Sequence, residues 1–192
     1  MGRPKQFDPD TAVTQAMDVF WSHGYGATTP AELADALGIG KGSLYNTFEN
    51  KHALFEQALR RYGDQRVAGL TEALRGPGSA KARIGAALER LAMPEHARLL
   101  RRGCFAVNTA SELGAHDSAA TAIVRGVFDR MERALQSAVE DGQRSGEIDA
   151  GHDACELASM LLTTIIGMSV IAKTGDRGER LRRVARVVLT ML

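Results

Sequence analysis

The chain has 192 residues, a formal net charge of +1, and 44% hydrophobic but only 5% aromatic residues. Its length allows one large or two small domains with an adequate core, and its near-neutral charge excludes a broad cationic coat for nucleic acid. Cys104 and Cys155 are too few for a disulfide framework, and no apolar segment behind Met1 suits a signal peptide, so a cytoplasmic protein is expected.

Gly2-Arg3-Pro4-Lys5 is short, basic and unsuited to a helix. It is either an arm for a minor groove or a terminus without a role. From Asp8 or Asp10 onward, Val13, Ala16, Met17 and Phe20 recur at helical spacing, Gly24 supplies the stop, and Trp21 and Tyr25 are expected to complete the core beneath. Thr29, Pro30 and Glu32 then form a capping box with proline at the first position, opening a helix over residues 31–37. Gly38 tolerates the positive φ found just past a helix end, and Ile39 behind it is an apolar plug. A second short helix follows from Lys41 to about Thr47, with Leu44 and Phe48 on one face. Lys41, Gly42, Ser43, Tyr45 and Asn46 are left facing outward. Small residues let a helix approach a major groove, and polar ones reach base edges or phosphates, so this pair of helices reads as a helix-turn-helix. Bulk charge gives no support, since residues 1–51 hold four Lys and Arg against six Asp and Glu. The case rests on where the cations sit: Arg3, Lys5, Lys41 and Lys51.

From Gly24 to Lys51 the chain reads G-Y-x-x-T-T-x-x-E-L-A-x-x-L-G-I-x-K-G-S-L-Y-x-x-F-x-x-K. Through this pattern it resembles the TetR-type (TetR/AcrR) transcriptional regulators, and the rest of the chain resembles them in length and helical layout. The resemblance implies an all-α protein with a helix-turn-helix domain over residues 1–50. Residues 51–192 then hold a connector helix and an antiparallel bundle for ligand binding and dimerisation. It implies a homodimeric repressor that binds a palindromic operator in double-stranded DNA and is released by a small-molecule inducer. The DNA-contacting residues are then Arg3, Lys5, Thr28, Thr29, Lys41, Gly42, Ser43, Tyr45, Asn46 and Lys51. Lys41, Ser43 and Asn46 are assigned to base edges, and Thr29, Tyr45 and Lys51 to phosphates. A class-different alternative is a helical interaction protein that keeps the helix-turn-helix as a packing unit only.

Asn50 suits the cap of a fourth helix, with Leu54, Phe55, Ala58, Leu59 and Tyr62 as its buried stripe. Lys51 in its first turn is electrostatically unfavourable beside the positive helix end, and a nearby phosphate would reverse that sign. Gly76-Pro77-Gly78-Ser79 closes this connector. Residues 60–102 hold ten Lys and Arg against four Asp and Glu, which is either a solvated face or an attraction for an anionic ligand. Pro94 should break the following helix, begun at Ala80, from a short one ending near Arg102.

Cys104, Asn108 and Glu112 fall at i, i+4 and i+8 and draw a polar line along an otherwise apolar helix. Some TetR-type regulators carry a similar G-C-x-x-x-N-x-A-x-E line in their sensing domain. Such a line needs a partner, either elsewhere in the protein or in a ligand. A long amphipathic helix follows Asp117, with Ile123, Val127, Met131 and Leu135 inward. Leu157 to Ala172 is apolar on nearly every face apart from four hydroxyls, which is short for a membrane span, and a last helix begins near Arg180. These two helices are expected to dimerise through Leu157, Leu161, Ile165, Leu181, Val184 and Val188.

The inducer is expected among Cys104, Asn108, Glu112, Met131, Met160, Thr163, Thr164 and Met168. A competing mechanism makes Cys104 a thiol sensor of oxidants or electrophiles, activated by Arg101, Arg102 or Lys173, with Cys155 as a buried, inert counterpart. The five histidines are scattered, no metal-ligand spacing occurs, and no cofactor or enzyme activity is expected.

Overall fold

The computed structural model describes residues 8–93, 102–175 and 178–192. Arg3 and Lys5 lie outside the described residues, as does the helix break expected at Pro94. The described residues form nine α-helices and no strand. Three short helices, α1 (Pro9–His23), α2 (Pro30–Leu37) and α3 (Lys41–Phe48), precede the 25-residue α4 (Lys51–Arg75). Then come α5 (Ala80–Glu89), a 3-10 turn (Arg90–Ala92) and α6 (Phe105–Leu113). Helices α7 (Ser118–Ser145), α8 (Ala154–Lys173) and α9 (Glu179–Met191) complete the chain.

Local chemistry sets these boundaries. Asp8 caps α1 through bonds from the N–H groups of Asp10 and Thr11, and Pro9 occupies the first position. The capping box at α2 is complete: Thr29 Oγ1 accepts from Glu32 N at 3.2 Å, and Glu32 Oε2 accepts from Thr29 N at 2.7 Å. Gly38 adopts φ 65° and ψ 30°, and the amides of Gly38 and Ile39 donate back to Asp35 and Ala34, which stops α2 in a Schellman pattern. Asn50, Ser79, Asp117 and Asp153 cap α4, α5, α7 and α8 in the same manner.

The join between α3 and α4 is abrupt. Glu49 takes φ 64° and ψ −56°, and Asn50 N donates to Phe48 O at 2.6 Å, which is a γ-turn about a single non-glycine residue. Any tilt at the start of α4 is therefore passed to α3 through two residues, Glu49 and Asn50.

Two apolar cores share α4. Leu54, Phe55, Ala58, Leu59 and Tyr62 belong to the first, with α1–α3 and also with Phe105, Ala106, Ile123 and Val124 from α6 and α7. Leu74 belongs to the second, with α5, α8, α9 and the later turns of α7, while Val67 and Leu70 pack against it. Aromatic rings bridge the elements: Phe20 meets Phe55 edge-on at 5.1 Å, and Phe55 and Tyr62 meet Phe105 at 5.7 and 5.6 Å. Helix α7 packs tightly against α4 at Gly63, where a Cβ would stand 2.3 Å from Val127 Cγ2. Helix α8 is long and apolar enough to cross a membrane by length and composition, but one face of it is packed in the second core.

Candidate nucleic-acid interface and ligand cavity

Helix α3 buries two side chains, Leu44 and Phe48, beneath α2 and α4, which fixes what it presents outward. Lys41, Gly42, Ser43, Tyr45, Asn46 and Thr47 are all exposed, as expected from the sequence. Their side chains make no hydrogen bond or ion pair within the described residues. Thr29 is exposed too, although its hydroxyl is engaged with Glu32.

Two residues expected at the DNA surface have internal duties. Thr28 is 1% exposed and its hydroxyl donates to Gly24 O at 2.6 Å, so it shapes the α1–α2 turn from inside. Lys51 is half-buried, donates from Nζ to the carbonyls of Tyr25 and Thr28 at 2.9 Å each, and stands 4.1 Å from the Tyr25 ring centroid. The negative partner expected to offset its place at a helix start was a phosphate; two carbonyl oxygens fill that role.

The polar line on α6 is spent within the protein. Glu112 accepts from Tyr25 N at 3.0 Å and Gly26 N at 2.6 Å, tying α6 to the helix-turn-helix domain. Asn108 donates to Arg102 O at 2.8 Å and accepts from Lys173 Nζ at 3.0 Å. Neither lines the cavity described below. Nearby, His52 Nε2 stands 2.7 Å from Asp117, whose carboxyl is held below its ordinary value by the N–H of Ala120 and further by His52.

A cavity of about 420 Å³ lies between the two cores. Helix α4 supplies Tyr62, Gln65, Arg66, Gly69, Leu70 and Ala73, and Ala87, Arg90 and Leu91 come from α5 and the 3-10 turn. Gly103 and Cys104 precede α6, and Met131, Ile165 and Ser169 come from α7 and α8. The last wall is Trp21 of α1. Its indole N–H donates to Gly103 O at 3.0 Å, and the Arg102 guanidinium lies 4.0 Å from its ring centroid while donating to the Asp18 carbonyl at 2.9 Å. Burial, and secondarily the Cys104 sulfur, push the Tyr62 phenol far above its ordinary value, so it stays a neutral O–H.

Of the expected ligand residues, the cavity thus gathers Cys104 and Met131. Met160, Thr163, Thr164 and Met168 lie elsewhere: Thr163 is exposed and donates to Ser159 O, and Met168 is core. The cavity-lining residues missed include Trp21, Tyr62, Arg66, Arg90 and Ile165. A signal for Arg66 existed, since it continues the buried stripe of α4 one turn past Tyr62, where an apolar residue would be expected.

The expected dimer residues also face inward. Leu161 is 0% exposed, Leu157, Ile165, Leu181 and Val188 are buried in the second core, and Val184 is only half-buried. The open faces of these helices instead carry Thr163, Gly167 and Val170 on α8, and Val187 and Met191 on α9. Cys155, expected to be buried, is exposed in the first turn of α8. Among the described residues no group of three His, Cys, Asp or Glu side chains is placed to hold a metal ion.

A helix-turn-helix with a free recognition face, carried on an all-helical body with a cavity behind it, defines a DNA-binding regulator with a sensing domain. Comparison with known proteins places the chain in a family. Residues 13–58 match the model for bacterial regulatory proteins of the tetR family, and residues 80–188 match a tetracyclin repressor-like C-terminal domain. The HTH-type transcriptional repressor ComR of Escherichia coli (strain K12) is 34% identical, over 99% of this chain and 91% of its own. The uncharacterized HTH-type transcriptional regulator YezE of Bacillus subtilis (strain 168) is 31% identical over the full length of both chains. The TetR family transcriptional regulator CifR, solved as a cysteine mutant with 26-bp operator DNA, superposes with a TM-score of 0.83 at 31% identity, over 98% of each chain. The chain belongs to the TetR family of transcriptional regulators. These findings support a ligand-responsive DNA-binding repressor, from a family that is not an enzyme class and in which dimerisation is typical.

Proposed function

We propose that this protein is a cytoplasmic repressor that grips a two-fold palindromic operator through α3 and lets go when a small molecule fills the cavity. The observation that carries the reading is Trp21. It stands on α1 of the DNA-binding domain and is at the same time a wall of the cavity. A ligand there touches the DNA-binding domain directly, and it also touches α4, whose first residue is joined to α3 through Glu49 and Asn50. A ligand that favours one packing of Trp21, Gly103 and α4 shifts the population of α3 orientations by its differential affinity for the two.

In this reading Lys41, Ser43 and Asn46 reach base edges, and Thr29 and Tyr45 contact phosphates. Gly42 supplies closeness: a Cβ there would meet nothing in the protein, so its small size serves an outside partner. Thr28 and Lys51 position the α1–α2 turn. The working division falls after residue 50, with dimerisation through the open faces of α8 and α9. Two α3 helices then enter successive major grooves about 34–36 Å apart.

The test is selection of duplexes from a random pool, followed by titration across a salt series. A palindrome with half-sites one turn apart is expected to be enriched. Lys41→Ala should relax the preference at one base pair, and Tyr45→Phe should weaken all duplexes alike. Enrichment of no palindrome would sink the proposal.

A second reading puts the signal on Cys104, whose half-buried thiol lines the cavity beside Tyr62. Covalent capture of an electrophile there would fill the same space. Release from DNA by a mild electrophile should then vanish in Cys104→Ser, and release that persists eliminates this reading.

A further inference from the structure

Arg66 and Arg90 line the cavity, and no Asp or Glu does among the described residues. Among the described residues, four buried side-chain polar atoms lack a hydrogen-bond partner: Nε of Arg66, Arg83 and Arg102, and Thr109 Oγ1. Arg83 and Arg102 nonetheless hold carboxylates, Asp141 at 3.8 Å and Asp18 at 3.0 Å. Arg66 holds none, and no hydrogen bond or ion pair satisfies it within the described residues. An arginine keeps its charge at any physiological pH, so a half-buried guanidinium without an anion is an unfinished interaction. Its surroundings complete the description of the missing partner. Trp21, Leu70, Met131 and Ile165 give an apolar, partly aromatic enclosure, and the neutral Tyr62 hydroxyl is one helical turn from Arg66. Arg90 is exposed as well as cavity-lining, which places a second positive charge at the mouth.

We propose that the cavity takes an organic carboxylate with a compact apolar body, its charged end on the Arg66 guanidinium and its body against Trp21, Leu70 and Ile165. The planar fork of a guanidinium suits the two oxygens of a carboxylate, and the cavity's size suits a small metabolite. This inference rests on the reading of the cavity as the effector site, and it names what that site selects.

The probes are 2-naphthoate and 2-naphthamide, which share shape and differ in charge, titrated calorimetrically into the full-length protein. Naphthoate is expected to bind at least about tenfold tighter, a difference of about 1.4 kcal/mol. Arg66→Gln should erase that preference while leaving the weak naphthamide affinity in place. Equal affinity of the parent for both compounds overturns the proposal, as does absence of binding by naphthoate or an unchanged preference in Arg66→Gln. The comparison of the two compounds on the parent stands even if the variant fails to fold. Operator release is followed in parallel. Naphthoate that binds with the stated preference but leaves operator DNA bound refutes the effector reading and keeps the carboxylate site.

Discussion

Helices α3 and α6 look alike in sequence, each a short helix with small, hydroxyl and amide side chains on one face, yet they do opposite things with them. On α3, Lys41, Ser43, Tyr45 and Asn46 stand exposed with no side-chain partner among the described residues. On α6, Asn108 bridges Arg102 and Lys173, and Glu112 holds two backbone amides of the α1–α2 turn. The difference teaches that polarity alone does not mark a site. A site is where hydrogen-bonding capacity is left over after folding, and by that criterion the outer face of α3 qualifies, Asn108 and Glu112 of α6 do not, and Arg66 does. The same distinction divides α8, where apolar residues line both faces but only one face is already covered.

The α8 contrast offers the largest effect. Val187 on neighbouring α9 is 59% exposed, and Val187→Arg should place an unpaired charge in the proposed dimer interface at a cost of about 3–5 kcal/mol, seen as loss of operator binding by a protein that sediments as a folded monomer. Leu161→Ala, on the covered face, should instead lower unfolding stability by about 2–5 kcal/mol. Should Val187→Arg remain dimeric, the open face is not the interface.

The polar contrast comes next. Asn46→Ala should leave the melting temperature unchanged while giving up about 1–3 kcal/mol of discrimination between operator and single-base variants. Glu112→Ala should do the reverse, costing about 1–3 kcal/mol in denaturant unfolding because two backbone donors lose their acceptor. A swap of these two outcomes would dissolve the comparison.

Acid sharpens it further. Glu32 and Asp117 titrate below their ordinary values of 4.5 and 3.8, Glu32 through the Thr29 amide and Asp117 through the Ala120 amide. Their folded forms bind fewer protons than the unfolded chain, so their stabilisation is full above those ordinary values and is lost as the pH falls below them and through the lowered folded ones. Melting temperature should therefore decline below about pH 4.5. The decline should be shallower in Asp117→Asn, which keeps an accepting oxygen without a titrating carboxyl.

The smallest effect concerns Glu49 at φ 64°. Glu49→Gly should relieve backbone strain of about 1–3 kcal/mol, partly offset by glycine's extra freedom when unfolded, for a net gain near 1 kcal/mol in chemical denaturation. A loss of stability would mean that the turn is not strained.

Much of this architecture was legible because it is locally encoded. The Thr29–Glu32 box, Gly38 and Asn50 announce their helix ends through bonds that span three or four residues, and the outward face of α3 follows from Leu44 and Phe48 alone. What escaped the sequence depends on partners distant in the chain. Periodicity cannot say which side of α8 is inside when both sides are apolar, so Leu161 and Ile165 were assigned to a dimer although they fill their own core. Nor can it say that Glu112 finds the amides of Tyr25 and Gly26, 86 or 87 positions away, or that Lys51 finds the carbonyls of Tyr25 and Thr28. Arg66 was counted within a basic stretch, and only the enclosure formed by α1, α5, α7 and α8 sets it apart from a solvated neighbour such as Arg60.

Trp21 is the only tryptophan in the chain, and it sits where the DNA-binding domain, the Arg102 guanidinium and the cavity meet. Light absorbed by indole is therefore re-emitted from a single place, with a wavelength and yield set by one stacked cation, one hydrogen bond to Gly103 and the water content of the cavity. The molecule carries a built-in optical gauge at its junction, one that can be read without a label in the free protein, in the filled one and on DNA.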